Sequence, residues 1–180
     1  MHPVKKVKRE RGHNRGMRWP GLVLLLLLTA CAPVATLDRA AIPDGSGGAV
    51  GLSLVSDGRR FSALPYLRYG VGKGGTELGL VAQAGVGAYV KQRLLSGLSL
   101  KAAAHLPGPA FEGALLADLG PLTLSLRGLT AKIDLSGDGG QRLFWWAASA
   151  GYWQGGFGLE AAYLGSEGGA LFAFSLARRF

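Results

Sequence analysis

The sequence predicts an all-β fold: an antiparallel β-barrel of about 8–10 short strands, following a signal peptide and a tether. Three observations lead there. Residues 49–180 divide into ten short segments, most of which alternate between apolar and polar side chains. Gly-rich separators join nearly all of them, and they are too short for the dozen or more residues a parallel crossover needs. No segment combines a helical period with capping residues, so little helix is expected.

The amino end has a different character. Gly21–Cys31 reads GLVLLLLLTAC, an apolar run ending in the single cysteine of the chain. It is far shorter than the roughly 20 residues of a membrane-spanning helix, but fits a signal-peptide core of about 7–15. Residues 1–30 are therefore assigned to a signal peptide and set apart from the fold. Met17 opens a second, shorter leader, so residues 1–16 are either an early start or a long basic region.

Leu28-Thr29-Ala30-Cys31 resembles the lipobox of bacterial lipoprotein precursors. The resemblance implies a lipid on the Cys31 thiol, cleavage before Cys31 and acylation of the new amino terminus. Small Ala30 and apolar Leu28 suit the peptidase of that family. The expected partner is thus membrane lipid, reached through acylated Cys31. Ala32 follows it, whereas an Asp there retains such proteins in the inner membrane of well-studied Gram-negative systems. The expected location is the outer membrane of a bacterial envelope.

The leader also accounts for most of the charge. The whole chain carries +9, and residues 1–30 hold seven Lys and Arg against Glu10, a balance of +6. Residues 31–180 keep +3 with no basic run, so nucleic acid is not an expected partner. A leading basic segment instead holds a precursor's amino end on the cytoplasmic side. With its one cysteine lipidated, the chain has no thiol left for a disulfide, a zinc cluster or a nucleophile.

Residues 31–48, with two prolines and a closing Asp-Gly-Ser-Gly-Gly, read as a flexible tether. The domain proper, 49–180, is expected to place strands near 49–56, 61–70, 76–84, 86–94, 98–106, 112–119, 122–135, 141–154, 157–164 and 170–180. Alternation supports them one by one. Leu78, Leu80, Ala82 and Ala84 oppose Glu77, Gly79, Val81 and Gln83. Leu98, Leu100, Ala102, Ala104 and Leu106 oppose Ser99, Lys101, Ala103 and His105. Gly113, Leu115, Ala117 and Leu119 oppose Glu112, Ala114, Leu116 and Asp118. Leu122, Leu124 and Leu126 oppose Thr123, Ser125 and Arg127, after which the apolar set moves to Leu129, Ala131, Ile133 and Leu135. That slip predicts a bulge or break at Gly128. Residues 142–154 are apolar on both faces and have no clear phase, and the junction near Gly85 lacks an obvious turn.

A closed barrel is favoured over a sandwich because closure removes exposed strand edges. Leu67-Arg68-Tyr69-Gly70, a turn, and Glu77-Leu78-Gly79-Leu80 resemble the "RYG, turn, ELG" hairpins of small bacterial outer-membrane β-barrel proteins. Terminal Phe180, sharing a face with Leu176, Phe174 and Phe172, resembles their carboxy-terminal strand. Arg178 departs from it, standing where an apolar residue is usual.

Catalytic constellations are missing from the pattern. His105 is the one histidine after the leader, and no serine neighbours a histidine and an acid. Gly70–Gly75 precedes a strand instead of opening a helix, so it is no phosphate cradle. The chain is read as a non-enzyme without metal or other cofactor. What remains is a polar face: Arg68, Glu77, Lys91, Arg93, Lys101, His105, Glu112, Arg127 and Glu160. Period-two alternation is the same when a barrel is turned inside out. Polar inside means a membrane-embedded barrel with a structural or small-solute role, and this is the reading adopted. In it, Arg at Gln83 or Ser125 would be milder than Arg among the outer leucines, provided the lumen is wet. Apolar inside means a lipid-tethered, lipocalin-like carrier with a small apolar ligand. A protein that interacts through its outer β surface is a third reading. Oligomeric state has no signature in the pattern.

Overall fold

The computed structural model describes residues 34–106, 110–133, 141–166 and 169–180. The leader, the Leu28–Cys31 motif and the connections at 107–109, 134–140 and 167–168 lie outside the described residues. Ten strands follow one another: β1 (Gly45–Ser56), β2 (Phe61–Lys73), β3 (Thr76–Ala82), β4 (Val86–Leu95), β5 (Leu98–Leu106), β6 (Ala110–Leu119), β7 (Leu122–Ile133), β8 (Gln141–Gln154), β9 (Phe157–Ser166) and β10 (Gly169–Arg179). Each pairs antiparallel with its sequence neighbour, and β1 pairs with β10 to close the barrel. The expected all-β barrel is the observed fold, at the upper end of the expected strand count.

The seam runs from Ala49 opposite Arg179 to Ser56 opposite Phe172. Beyond it, Gly48 and Phe180 exchange backbone hydrogen bonds of 3.0 and 3.2 Å. One stretch of sheet stays single-sided, because β3 has seven residues and its pairing with β2 begins only at Leu67. Pro65, which has no N–H to donate, falls in that stretch and blunts it as an edge.

The two ends of the barrel differ. At the end holding Phe180, successive strands are joined by two residues each, at 74–75, 96–97, 120–121 and 155–156. Gly74-Gly75 and Gly155-Gly156 have positive φ at both positions (60° and 88°, 57° and 84°), the geometry of a tight hairpin turn. We call this the turn end. The opposite, loop end has connections at 57–60, 83–85, 107–109, 134–140 and 167–168. There Asp57 Oδ1 accepts hydrogen bonds from the backbone N–H groups of Arg59 (2.8 Å) and Arg60 (2.7 Å), which hold its carboxyl below the ordinary carboxylate range. The junction near Gly85 is a tight turn, closed by Gln83 N–H to the Gly85 carbonyl and using positive φ at Ala84.

Successive residues point alternately in and out. Leu78, Leu80, Leu98, Leu100, Leu106, Leu115, Leu119, Leu122, Leu124 and Leu126 lie on the outside, as do Phe172, Phe174 and Leu176. The unphased segment resolves in the same way: Trp145, Ala147, Ser149, Gly151 and Trp153 point in, Phe144, Trp146, Ala148, Ala150 and Tyr152 out.

Three expectations need correction. β7 runs through Gly128 without a register shift, with Gly113 directly opposite. Thr123, Ser125, Arg127, Leu129 and Ala131 all point inward, so the interior changes from polar to apolar while the backbone keeps its phase. Among the described residues the ladders shift register between Arg93 and Leu95. β1 begins at Gly45, inside the segment expected as a tether. Residues 34–42 of that segment are inside the barrel, with Val34, Ala35, Thr36, Leu37, Asp38, Ala40 and Ile42 buried.

Candidate functional site: a charged lumen around the amino-terminal segment

A single extended segment inside a barrel has no neighbouring strand, yet each of its backbone groups needs a hydrogen-bond partner once water is excluded. The wall supplies them with side chains. Near the loop end, Gln83 Oε1 accepts from Val34 N–H (2.8 Å) and Ala35 N–H (3.0 Å). Glu160 grips the next two, accepting from Thr36 N–H and Leu37 N–H at 2.8 Å each. Leu37 has a positive φ of 39°, a bend that lets two successive N–H groups converge on one carboxylate. Arg127 Nη2 donates to the Val34 carbonyl (2.6 Å) and the Tyr66 hydroxyl to that of Thr36 (2.7 Å). Ser125 stands within 3.2 Å of the Thr36 hydroxyl and 2.7 Å of Ser149.

Toward the turn end the pattern repeats with other residues. Lys91 Nζ donates to the Arg39 carbonyl (3.0 Å), and Ser99 to that of Ala40 (2.6 Å). Asp118 accepts from Ala40 N–H (3.1 Å) and Ala41 N–H (2.9 Å), and lies 3.3 Å from Arg39 Nε. At the mouth, Arg93 Nη2 donates to the Ile42 carbonyl (2.6 Å), and Asp44 accepts from Gly74 N–H in the β2–β3 turn (2.9 Å). Side chains from most of the wall thus bind one segment of backbone.

Between these contacts sits the charge cluster. Asp38 Oδ1 is 3.1 Å from Arg68 Nη1 and 3.0 Å from Lys91 Nζ. Glu77 lies 2.6 Å from Arg68 and 2.8 Å from Lys91, and accepts a short hydrogen bond from the Tyr89 hydroxyl. Lys101 Nζ is 3.6 Å from Glu112 and 5.0 Å from the centre of the Tyr89 ring, while His105 Nε2 is 3.4 Å from Glu112. Arg68, Lys91, Lys101 and Arg127 are buried wall cations, against Glu77, Glu112 and Glu160 as buried wall acids. Asp38, from the segment itself, makes these buried charges four against four among the described residues. A buried cation without a partner is expensive, so the wall is electrostatically complete only with the segment in place.

The structure brings together eight of the nine polar-face residues expected from sequence: Arg68, Glu77, Lys91, Lys101, His105, Glu112, Arg127 and Glu160 are all buried in the lumen. Arg93 is the exception. Its backbone opposes inward Ser99, but it lies at the mouth and is solvent-exposed. Sequence reading missed Tyr89, Tyr66 and Asp38, and placed Gln83 on the lumen side without giving it a partner. Tyr89 had a signal in the paired glycines, since Gly70 opposes Gly79 across the β2–β3 ladder. A Cβ at Gly79 would meet the Tyr89 ring at 2.5 Å, and one at Gly70 would meet its hydroxyl and Glu77 at 2.4 Å. The Arg-Tyr-Gly and Glu-Leu-Gly runs therefore build one unit: an ion pair, and a two-glycine bed for an aromatic ring from the next strand. No His/Cys/Asp/Glu group suited to a metal ion occurs among the described residues.

The molecule is thus a closed antiparallel β-barrel with an apolar outer face and a lumen that holds its buried charges. No family model and no curated protein matches the chain. Among solved structures it is similar to Neisserial surface protein A (NspA), at 12% identity and a TM-score of 0.30, over 74% of this chain and 94% of that one. The likeness is slight.

Proposed function

We propose that the protein is an integral β-barrel of the bacterial outer membrane, filled by its own amino-terminal segment and anchored in addition by lipid on Cys31. One observation carries the reading: most of the large apolar side chains face outward around the barrel, while the buried charges face inward with a minority of apolar ones such as Trp145, Trp153, Leu164 and Leu171. A soluble monomer seldom exposes a contiguous apolar patch above a few hundred Å². Here outward Leu, Val, Phe or Tyr residues occur on all ten strands. A ten-residue strand such as β6 rises about 33 Å along its own axis, or about 25 Å at a tilt near 40°, which matches the apolar band of such barrels. Outward aromatics stand near both ends, with Phe61 and Phe111 at the loop end and Tyr152, Phe157 and Phe180 at the turn end. Arg178 fits this belt, since it lies at the turn end with its guanidinium 5.6 Å from the Phe157 ring centre.

The role is structural. The segment occupies the lumen, and the described wall carries no set of groups arranged for catalysis, so neither a conducting pore nor an enzyme is proposed. The carrier reading needs an apolar chamber, and the charged, occupied interior gives it no support. The test is fractionation of cells expressing the full chain. The protein should stay in the membrane pellet through alkaline carbonate and leave it only with detergent, giving a β-type circular dichroism spectrum. Recovery as a folded monomer in plain buffer would overturn the membrane reading and restore the carrier.

A further inference from the structure

The direction of the buried segment has a topological consequence. Val34 packs in the cluster containing Val55, Leu164 and Leu171. These lie one residue from the end of β1, two from the end of β9 and two from the start of β10, all at the loop end. Ten residues later, Asp44 bonds the β2–β3 turn at the opposite mouth. The chain therefore descends the length of the lumen before β1 begins its climb. Ten residues span at most about 33–36 Å when extended, enough to traverse a barrel of this height even with the bend at Leu37.

We infer that the amino-terminal segment is a transmembrane thread, so that the chain preceding Val34 leaves through the loop end, on the side of the membrane opposite the carboxy terminus. The inference rests on the membrane reading above and adds a sidedness to it. Outer-membrane barrels keep their short turns in the periplasm and their longer loops outside. All four connections at the turn end have two residues, while the loop end includes connections of four and seven. The thread thus opens toward the cell surface. Two residues, Ala32 and Pro33, separate Val34 from Cys31, so three Cα-to-Cα steps span at most about 11 Å, against about 7 Å for the two strand residues between Leu164 and the β9 rim. Acyl chains on Cys31 would then enter the outer leaflet, and the protein would be a surface lipoprotein that carries its own passage across the bilayer.

The experiment places one epitope at a time in the full chain: after Ala32, within loop 57–60, or after Phe180. Antibody labelling is compared in intact and permeabilised cells. The Ala32 and loop tags should label intact cells, and the Phe180 tag should need permeabilisation. An Ala32 tag that is shielded together with the Phe180 tag, while the loop tag labels, overturns the thread and leaves the membrane barrel standing. Carbonate extraction of the same cells reports on the barrel separately, and a soluble product overturns both.

Discussion

Asp38 and Lys91 form an ion pair of 3.0 Å in which both side chains are fully shielded from solvent. The acid belongs to the lumen segment and the cation to β4, so the contact joins the occupant of the barrel to its wall. Because the buried wall cations outnumber the buried wall acids by one, this carboxylate closes the charge balance of the interior.

Asp38→Asn keeps the shape and removes that charge. Arg68 and Lys91 would then share Glu77 alone. Removing one partner from a buried pair costs about 3–5 kcal/mol. The urea midpoint of the protein in detergent micelles should fall accordingly. Adding Lys91→Met should recover part of the loss, and a double variant that is worse than additive would refute the charge-balance account.

Gly79→Ala should also destabilise, for a steric reason. Its Cβ would meet the Tyr69 carbonyl oxygen at 2.4 Å and the Tyr89 ring at 2.5 Å. Overpacking of this kind costs about 1–3 kcal/mol. Gly113→Ala is the control, since nothing lies within 4 Å of a Cβ there. It should change stability by less than about 0.5 kcal/mol.

The outer face makes a depth-dependent prediction. Leu115→Arg, near the middle of β6, should cost about 2–4 kcal/mol in a bilayer, and Leu119→Arg, at its end, about 0–1. Refolding into lipid vesicles under a urea gradient measures both. Equal costs would argue against a membrane belt. Arg at Gln83 or Ser125, expected to be mild in a wet lumen, is now expected to be severe. Gln83 binds Val34 and Ala35, and Ser125 is buried beside Thr36.

At the amino end, intact-mass measurement of the membrane fraction should show a chain starting at Cys31 and carrying acyl groups. Cys31→Ser should accumulate the uncleaved precursor. An unmodified thiol, or a mature start elsewhere, would remove the lipoprotein reading.

The strands were legible because a sheet writes its two faces into sequence with period two, and short glycine turns mark where each strand ends. The polar face was legible for the same reason, as Lys101, Glu112 and Glu160 each stand between apolar or glycine neighbours. The lumen segment left no such trace. Its bonds come from side chains remote in sequence, Glu160 being 124 residues from Thr36, so no local period encodes them. Gly128 misled because hydropathy follows the environment, and the interior turns apolar toward the loop end, where Ala110 and Ala131 pack together. Arg93 shares its face with Lys91, but alternation says nothing of depth, and it stands at the open mouth.

The seam between β1 and β10 joins residues about 130 positions apart, as Ala49 opposite Arg179 shows. Contacts that distant form late, because closing a long loop costs entropy before it is rewarded. The occupant of the lumen runs directly into β1, so it is present from the first moment of assembly. The connectivity favours a sheet that curls around a chain already lying along its concave side, with the β1–β10 seam as the last step that commits the molecule.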